Sequence, residues 1–82
     1  MTIEEAIREL EGSESHVRFS RLLAICKYFF GRPRIAGSHH IFKTPWTGDP
    51  RINLQEDKGS AKPYQVRQVL RCLRRLKDQA VS

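Results

Sequence analysis

The sequence predicts a small α+β domain, a three-stranded antiparallel sheet with helices packed on one of its faces. Apolar residues repeat at helical spacing in two segments near the start of the chain and in one near its end. Between them lie three short stretches of strand character, separated by turn-forming residues. The 82 residues can build one hydrophobic core but not two, so we expect residues 1–82 to form a single domain. Because so small an antiparallel sheet buries one face, its other face should remain in solvent.

The first helix is predicted over residues 3–11. Thr2, followed three residues later by Glu5, has the form of a capping box, and Gly12 is a natural stop. Its apolar residues repeat at helical spacing and should dock it on the core: Ile3, Ala6, Ile7 and Leu10. We expect its glutamates to form a solvated face. The alternative is that they lie near basic residues elsewhere in the chain and screen them.

The second helix, over about residues 15–30, is predicted to be the main core helix. Ser13 or Ser15 can cap its start, and Gly31 with Pro33 ends it. Its apolar side chains repeat at helical spacing: Phe19, Leu22, Leu23, Cys26, Phe29 and Phe30. Because the aromatic residues follow this buried periodicity, we assign them to the core rather than to a surface that stacks on nucleobases.

The three strands are predicted in close succession. A short strand over residues 34–36 leads into a tight turn at Gly37 and Ser38, because glycine tolerates positive φ and serine bonds to nearby backbone. We then predict a strand over residues 39–44, a loop of turn formers over residues 45–50 and a strand over residues 51–55. Polar and apolar residues alternate in the last strand, which indicates that one of its faces is buried.

A polar loop over residues 56–62 precedes the final helix, which Pro63 begins, since proline suits the first helical turn. The buried side of this helix is predicted to consist of Val66, Val69, Leu70, Leu73 and Leu76. Much of the remaining surface is basic: Lys62, Arg67, Arg71, Arg74, Arg75 and Lys77. Arg67 and Arg71 are one turn apart and so share one side of the helix.

Three further residues are interpreted as buried. Cys26 and Cys72 both fall on apolar helix faces, which indicates two thiols in a reducing cytosol rather than a disulfide. Trp46 lies in the loop after the second strand and is interpreted as a satellite core residue rather than a stacking residue. No apolar run approaches the roughly 20 residues of a membrane span. We therefore expect a cytoplasmic protein without membrane contact.

Charge is distributed in blocks. The chain carries a net charge of +6, with 15 lysines and arginines against nine acidic residues. Residues 1–14 are acidic, whereas residues 15–48 hold six basic residues and no acidic one, and residues 62–82 hold six basic residues against one aspartate. Two basic blocks suit a polyanionic partner, most often a nucleic acid. A competing interpretation is that the basic face binds an acidic protein and contacts no nucleic acid.

Two adjacent histidines make the second strand the most informative part of the chain. Side chains alternate across a strand, so His39 shares a face with Ile41 and Lys43, and His40 shares the other face with Phe42. Phe42 gains more from burial than Ile41. We therefore predict that His40 faces the helices and His39 the open face. Because His39 and His40 then point to opposite faces, we do not expect them to bind one metal ion together. For the same reason we do not expect them to act as acid and base on one phosphate.

The hexapeptide Gly37-Ser38-His39-His40-Ile41-Phe42 resembles the motif of the HicA family of bacterial toxins. The order around it is similar, with Leu22-Leu23 on a preceding helix and Lys62-Pro63 and Val69-Leu70-Arg71 after it, so the resemblance covers residues 16–76. It implies a fold like that of double-stranded-RNA-binding domains, with a core over residues 15–76 and residues 3–11 as an additional acidic helix. It also implies an mRNA-cleaving toxin neutralised by a HicB-type antitoxin. The loop segment 46–50 is long for the family.

The family's catalytic histidine directly follows Gly-Ser, which implies His39. An imidazole can act as general base and take the proton of an RNA 2′-hydroxyl, so that this oxygen attacks the adjacent phosphorus. This chemistry requires no metal or cofactor if cations stabilise the phosphate charge. The expected RNA contacts are Ser38, Lys43, Lys62, Arg67 and Arg71, and an auxiliary role for His40 stays open. The alternative function is a non-catalytic RNA-binding module of the same fold.

Overall fold

Two helices, three strands and a final helix follow one another along the chain. A computed structural model describes residues 1–47 and 51–81. Its elements are α1 (Ile3–Leu10), α2 (Phe19–Phe30), β1 (Arg34–Ala36), β2 (His39–Phe42), β3 (Ile52–Gln55) and α3 (Pro63–Val81). The predicted α+β class is confirmed. The end of the predicted 45–50 loop, residues 48–50, lies outside the described residues.

The three strands form an antiparallel sheet in the order β1-β2-β3. In the register between β2 and β3, His39 is opposite Gln55 and Phe42 is opposite Ile52. Between β1 and β2, Arg34 is opposite Ile41. The central strand therefore carries the two histidines, with a hydrogen-bonded neighbour on each side.

The hydrophobic core lies on one face of this sheet. Phe42, Ile52 and Leu54 are completely buried and belong to one apolar cluster with residues of all three helices. The opposite face carries His39, Asn53 and Gln55, since side chains alternate along each strand. The helices thus cover one face and leave the other open to solvent, as predicted.

Helix α1 begins with the predicted capping box and docks on the core. The Thr2 hydroxyl accepts from the Glu5 backbone N–H, and the Glu5 carboxylate accepts from that of Thr2. Ala6, Ile7 and Leu10 are buried. Two of its charges, however, are paired across the fold. Glu9 forms a bidentate ion pair with Arg21 of α2, in which Nε and Nη2 of Arg21 donate to the two carboxylate oxygens at 2.6 and 2.7 Å.

The second of these ion pairs joins Glu11, at the C-terminal cap of α1, to Arg74 of α3. The expectation of a purely solvated acidic face was therefore wrong for two of the glutamates, because α1 packs beside both arginine-bearing helices. These contacts neutralise part of each basic block and leave the open face of the sheet untouched.

Helix α2 begins later than predicted, at Phe19. Val17 and Arg18 are extended instead and pair with the loop before α3: the Val17 carbonyl accepts from the Ala61 N–H, and the Gly59 carbonyl accepts from the Phe19 N–H. Neither predicted serine cap is used, since Arg18 is the N-cap residue and makes no side-chain capping bond. Pairing with a segment distant in sequence thus outweighs the local capping preference.

The interpretation of Cys26, Cys72 and Trp46 as buried residues is confirmed. Both cysteines are free thiols, and burial raises the pKa of Cys26 to about 12. Trp46 packs edge-on against Phe30, and the Arg75 guanidinium lies 4.5 Å from its ring centre. Trp46 is therefore a core residue whose outer face is covered by a cation.

Candidate functional site

The β1–β2 hairpin fixes the position of His39. Ala36 and His39 are partners in the ladder, so Gly37 and Ser38 alone form the loop. Gly37 has a φ of +60°, a left-handed conformation that glycine adopts without a steric penalty. A two-residue loop with glycine first matches the twist of the strands it joins. His39 therefore starts β2 immediately after a rigid turn.

The predicted strand parity is confirmed by the surroundings of the two histidines. Phe42 is fully buried, and His40, two residues before it, packs its ring edge-on against the core residue Phe19 at 5.4 Å between centroids. His39 lies on the opposite face and is partly exposed. The two imidazoles therefore point to opposite sides of the sheet.

A hydrogen bond from the neighbouring strand orients the His39 ring. Its Nδ1 lies 3.0 Å from Oδ1 of Asn53. An amide oxygen can only accept, so Nδ1 donates, and in the neutral imidazole Nε2 then carries the lone pair. An imidazole in this tautomer accepts a proton at Nε2, which is the function of a general base.

A second polar contact joins the hairpin to β3. The Gln55 side-chain amide donates to the Ser38 hydroxyl oxygen at 2.9 Å. Because this oxygen acts as the acceptor, the hydroxyl hydrogen of Ser38 is free to donate to a ligand. Ser38 and His39 thus present a donor and an acceptor side by side at the end of the hairpin.

His39 lines a small cleft between the sheet and the start of α3, with a volume of about 190 Å³. Its other described lining residues are uncharged: Asn53, Gln55, Tyr64, Gln65 and Gln68. Tyr64 is 56% exposed, whereas Gln65 is buried and its side-chain oxygen has no described hydrogen-bond partner. Carboxamides and an exposed phenol are groups that hydrogen-bond and stack on nucleobases.

The predicted cationic residues lie outside the lining of this cleft. Lys43 borders a groove at the other end of the open face. Arg71 lies beside Trp46 and Arg75 in a depression next to α3. Lys62 and Arg67 are exposed at the start of α3. Of the predicted RNA contacts, the structure therefore brings only Ser38 next to His39.

Sequence reasoning missed Asn53 and the amide-lined cleft. The alternation in the third strand already placed Asn53 and Gln55 on its polar side, but their approach to His39 depends on the pairing register between β2 and β3. Sequence reasoning also missed the three arginines that share the groove of Lys43. Arg32, Arg34 and Arg51 come from three separate segments of the chain, so no local pattern groups them.

Two general features of the described residues bear on the kind of site. Among residues 1–47 and 51–81, no group of three or more His, Cys, Asp and Glu side chains is arranged to hold a metal ion. In the same part of the chain, no helix has both the length and the apolar character needed to cross a membrane.

Comparisons of the chain with models of protein families, with curated proteins and with solved structures found no match.

Proposed function

We propose that this protein is an endoribonuclease toxin of the HicA type, with a double-stranded-RNA-binding-domain-like fold, and that His39 is its general base. The observation that carries the proposal is the His39–Asn53 pair on the open face, which leaves Nε2 free to accept a proton. The net charge of +6 suits a polyanionic substrate. The resemblance of residues 37–42 to the family motif supplies the substrate class, mRNA.

The reaction begins when Nε2 of His39 takes the proton of a ribose 2′-hydroxyl. The 2′-oxygen then attacks the adjacent phosphorus, and the bond from phosphorus to the 5′-oxygen of the next nucleotide breaks. The leaving 5′-oxygen takes a proton from solvent, so the products are a 2′,3′-cyclic phosphate and a 5′-hydroxyl. DNA lacks the attacking oxygen and is not a substrate.

Hydrogen-bond donors near His39 stabilise the charge that develops on the phosphate oxygens. The Ser38 hydroxyl, one residue before His39, is such a donor, because Gln55 donates to its oxygen and leaves its hydrogen free. Preorganised donors at the reacting centre are among the largest contributions to catalysis. Lys43 lies four residues along from His39, roughly 13 Å in an extended strand. It therefore binds a neighbouring phosphate rather than the one that reacts.

His40 has a packing role in this proposal. Its ring contacts Phe19 on the helix side, and its Nδ1 is buried without a hydrogen-bond partner among the described residues. It cannot reach a phosphate bound at His39, because adjacent strand residues point to opposite faces.

The partners follow from the resemblance. A HicB-type antitoxin would neutralise the protein in the cytoplasm by blocking access to the open face. Since this face carries His39, Asn53 and the groove that Lys43 borders, an antitoxin that covers it excludes RNA without distorting the site. The alternative function, a non-catalytic RNA-binding module, uses the same surface with His39 as an RNA contact.

Cleavage of a 5′-labelled RNA by purified protein, with EDTA present throughout, tests the proposal. His39→Ala should lose roughly 10²- to 10⁴-fold in rate, the usual contribution of a general base. His16→Ala is the matched control, because His16 is exposed and lies before α2, away from the cleft. His40→Ala should retain cleavage wherever it stays folded. RNA that is bound but left intact by every form would establish the binding module instead.

A further inference from the structure

A second concave surface lies on the open face of the sheet, at the end away from the hairpin. It is a groove of about 370 Å³, and four of its lining residues are cations: Arg32, Arg34, Lys43 and Arg51. The other described residues that line it are Phe30, Pro33 and Ile41, so none of its described lining residues is acidic. We call it the basic groove.

The four cations come together from separate parts of the chain. Arg32 follows α2, Arg34 begins β1, Lys43 follows β2 and Arg51 precedes β3. All four are exposed, and none forms an ion pair with another described residue. By contrast, Arg21 and Arg74 on the helices are paired with glutamates of α1. Among the described residues, these four cations therefore remain unpaired on the face of the sheet that carries His39.

The basic groove and the His39 cleft both border β2 on its open face. Ile41, which lines the groove, is opposite Arg34 in the β1–β2 register and shares its face with His39 two residues away. Two residues of a strand span roughly 7 Å, and Lys43 lies roughly 13 Å from His39. An RNA strand that reacts at His39 and continues along the open face towards Lys43 therefore passes over these cations.

We infer that the basic groove binds the sugar–phosphate backbone of single-stranded RNA on one side of the bond cleaved at His39. Grooves that hold single strands combine a track of cations for the phosphates with groups that contact the bases. Here the cations of the basic groove contact the phosphates, and the cleft beside His39 binds the nucleotide that reacts. Arg32, Arg34 and Arg51 suit this role because the guanidinium group matches the geometry of phosphate. The inference rests on the proposed function for the identity of the ligand.

Binding to a short single-stranded 2′-O-methyl RNA, which lacks the attacking hydroxyl, tests the inference without cleavage. The dissociation constant is measured over a series of salt concentrations. Each phosphate contact to a single strand contributes about 0.7 to the slope of log affinity against log salt. Arg34→Gln and Lys43→Gln should each weaken binding and reduce this slope by about that amount. Lys27→Gln on α2, which removes an exposed cation from the helical layer, should leave the slope unchanged.

The outcome separates the inference from the proposed function. If His39→Ala binds this RNA as the wild type does, while Arg34→Gln and Lys43→Gln bind it weakly, the basic groove is the RNA track whether or not cleavage occurs. If both groove variants bind and cleave RNA like the wild type, the inference is wrong and the proposed function stands. If circular dichroism shows that Arg34→Gln does not fold, Arg51→Gln is used in its place. Stronger binding of the wild type to poly-glutamate than to the RNA would assign the groove to an acidic protein and overturn the inference.

Discussion

The imidazole of His39 and the carboxamide of Asn53 are hydrogen-bonded 3.0 Å apart across two adjacent strands, although 14 residues separate them in the sequence. The bond orients the His39 ring and, in the neutral imidazole, favours the tautomer that is unprotonated at Nε2. In hydrolases with an oriented histidine, a neighbouring side chain plays the same part. In the proposed function, this pair orients His39 to act as the general base.

In the proposed function Asn53 positions the ring of His39, so its substitution should reduce cleavage without abolishing RNA binding. Asn53→Ala frees the ring of His39, so we expect kcat to fall by about ten- to a hundredfold, part of the range typical of general-base catalysis. Asn53→Asp restores an acceptor and should recover much of this loss. Its carboxylate favours the imidazolium form, so the acidic limb of the pH–rate profile should move to higher pH. Equal rates and identical pH profiles for all three proteins would exclude the positioning role.

The face assignment of β2 predicts unequal effects at two neighbouring positions. Phe42 is fully buried, whereas Ile41 lies partly exposed on the open face. Phe42→Ala should lower the free energy of unfolding by about 3–5 kcal/mol, because it leaves a cavity in the core. Ile41→Ala should cost about 1 kcal/mol, typical of partly exposed sites. Urea denaturation monitored by circular dichroism measures both, and a larger loss at Ile41 would reverse the positions of the two histidines.

The elements that could be predicted from the sequence are those set by local chemistry. The capping box at Thr2, the turn at Gly37 and the start of α3 at Pro63 depend on residues within a few positions of each other. The outward position of His39 followed from alternation and the burial of Phe42.

The remaining features depend on contacts between distant segments. The start of α2 is set by Arg18 pairing with Ser60, and the orientation of His39 by a register that brings Asn53 beside it. The basic groove combines residues that are scattered along the chain. Local patterns do not contain these relationships, because each depends on how the complete sheet and helices assemble.

The Glu9–Arg21 ion pair should make stability depend on pH at acid values. The hydrogen bond from Arg21 holds the pKa of Glu9 below its ordinary value of 4.5. A carboxyl whose pKa is lowered by folding contributes its stabilisation fully above that ordinary value and loses it as the pH falls through the lowered value. Because both side chains are about half exposed, solvent screening limits the contribution to about 0.2–1 kcal/mol.

Glu9→Gln should therefore be slightly less stable than the wild type at pH 7, and the difference should vanish in strong acid. Thermal unfolding measured across this pH range tests it. Glu4→Gln is the matched control, since Glu4 is an exposed residue of the same helix with no described ion pair. A stability difference for Glu9→Gln that stays constant into strong acid would contradict the assigned cause.

The two cysteines should be unreactive in the folded protein. Cys26 is fully buried and Cys72 nearly so, and burial raises the pKa of both thiols, that of Cys26 to about 12. Because the thiolate is the reactive form, a disulfide-exchange reagent at pH 8 should label them only as the protein unfolds. The labelling rate should rise steeply with denaturant. Fast modification of two thiols per chain under native conditions would contradict this burial.

The most direct test of the central claim is the chemistry of the RNA ends produced with EDTA present. Mass spectrometry of the fragments should find 2′,3′-cyclic phosphates and 5′-hydroxyls, because the 2′-oxygen is the nucleophile that His39 activates. An otherwise identical RNA with 2′-O-methyl groups should stay intact, and His39→Ala should yield neither product. Fragments with 3′-hydroxyl and 5′-phosphate ends, or cleavage of the 2′-O-methyl RNA, would show that water attacks the phosphorus and that His39 does not act as proposed.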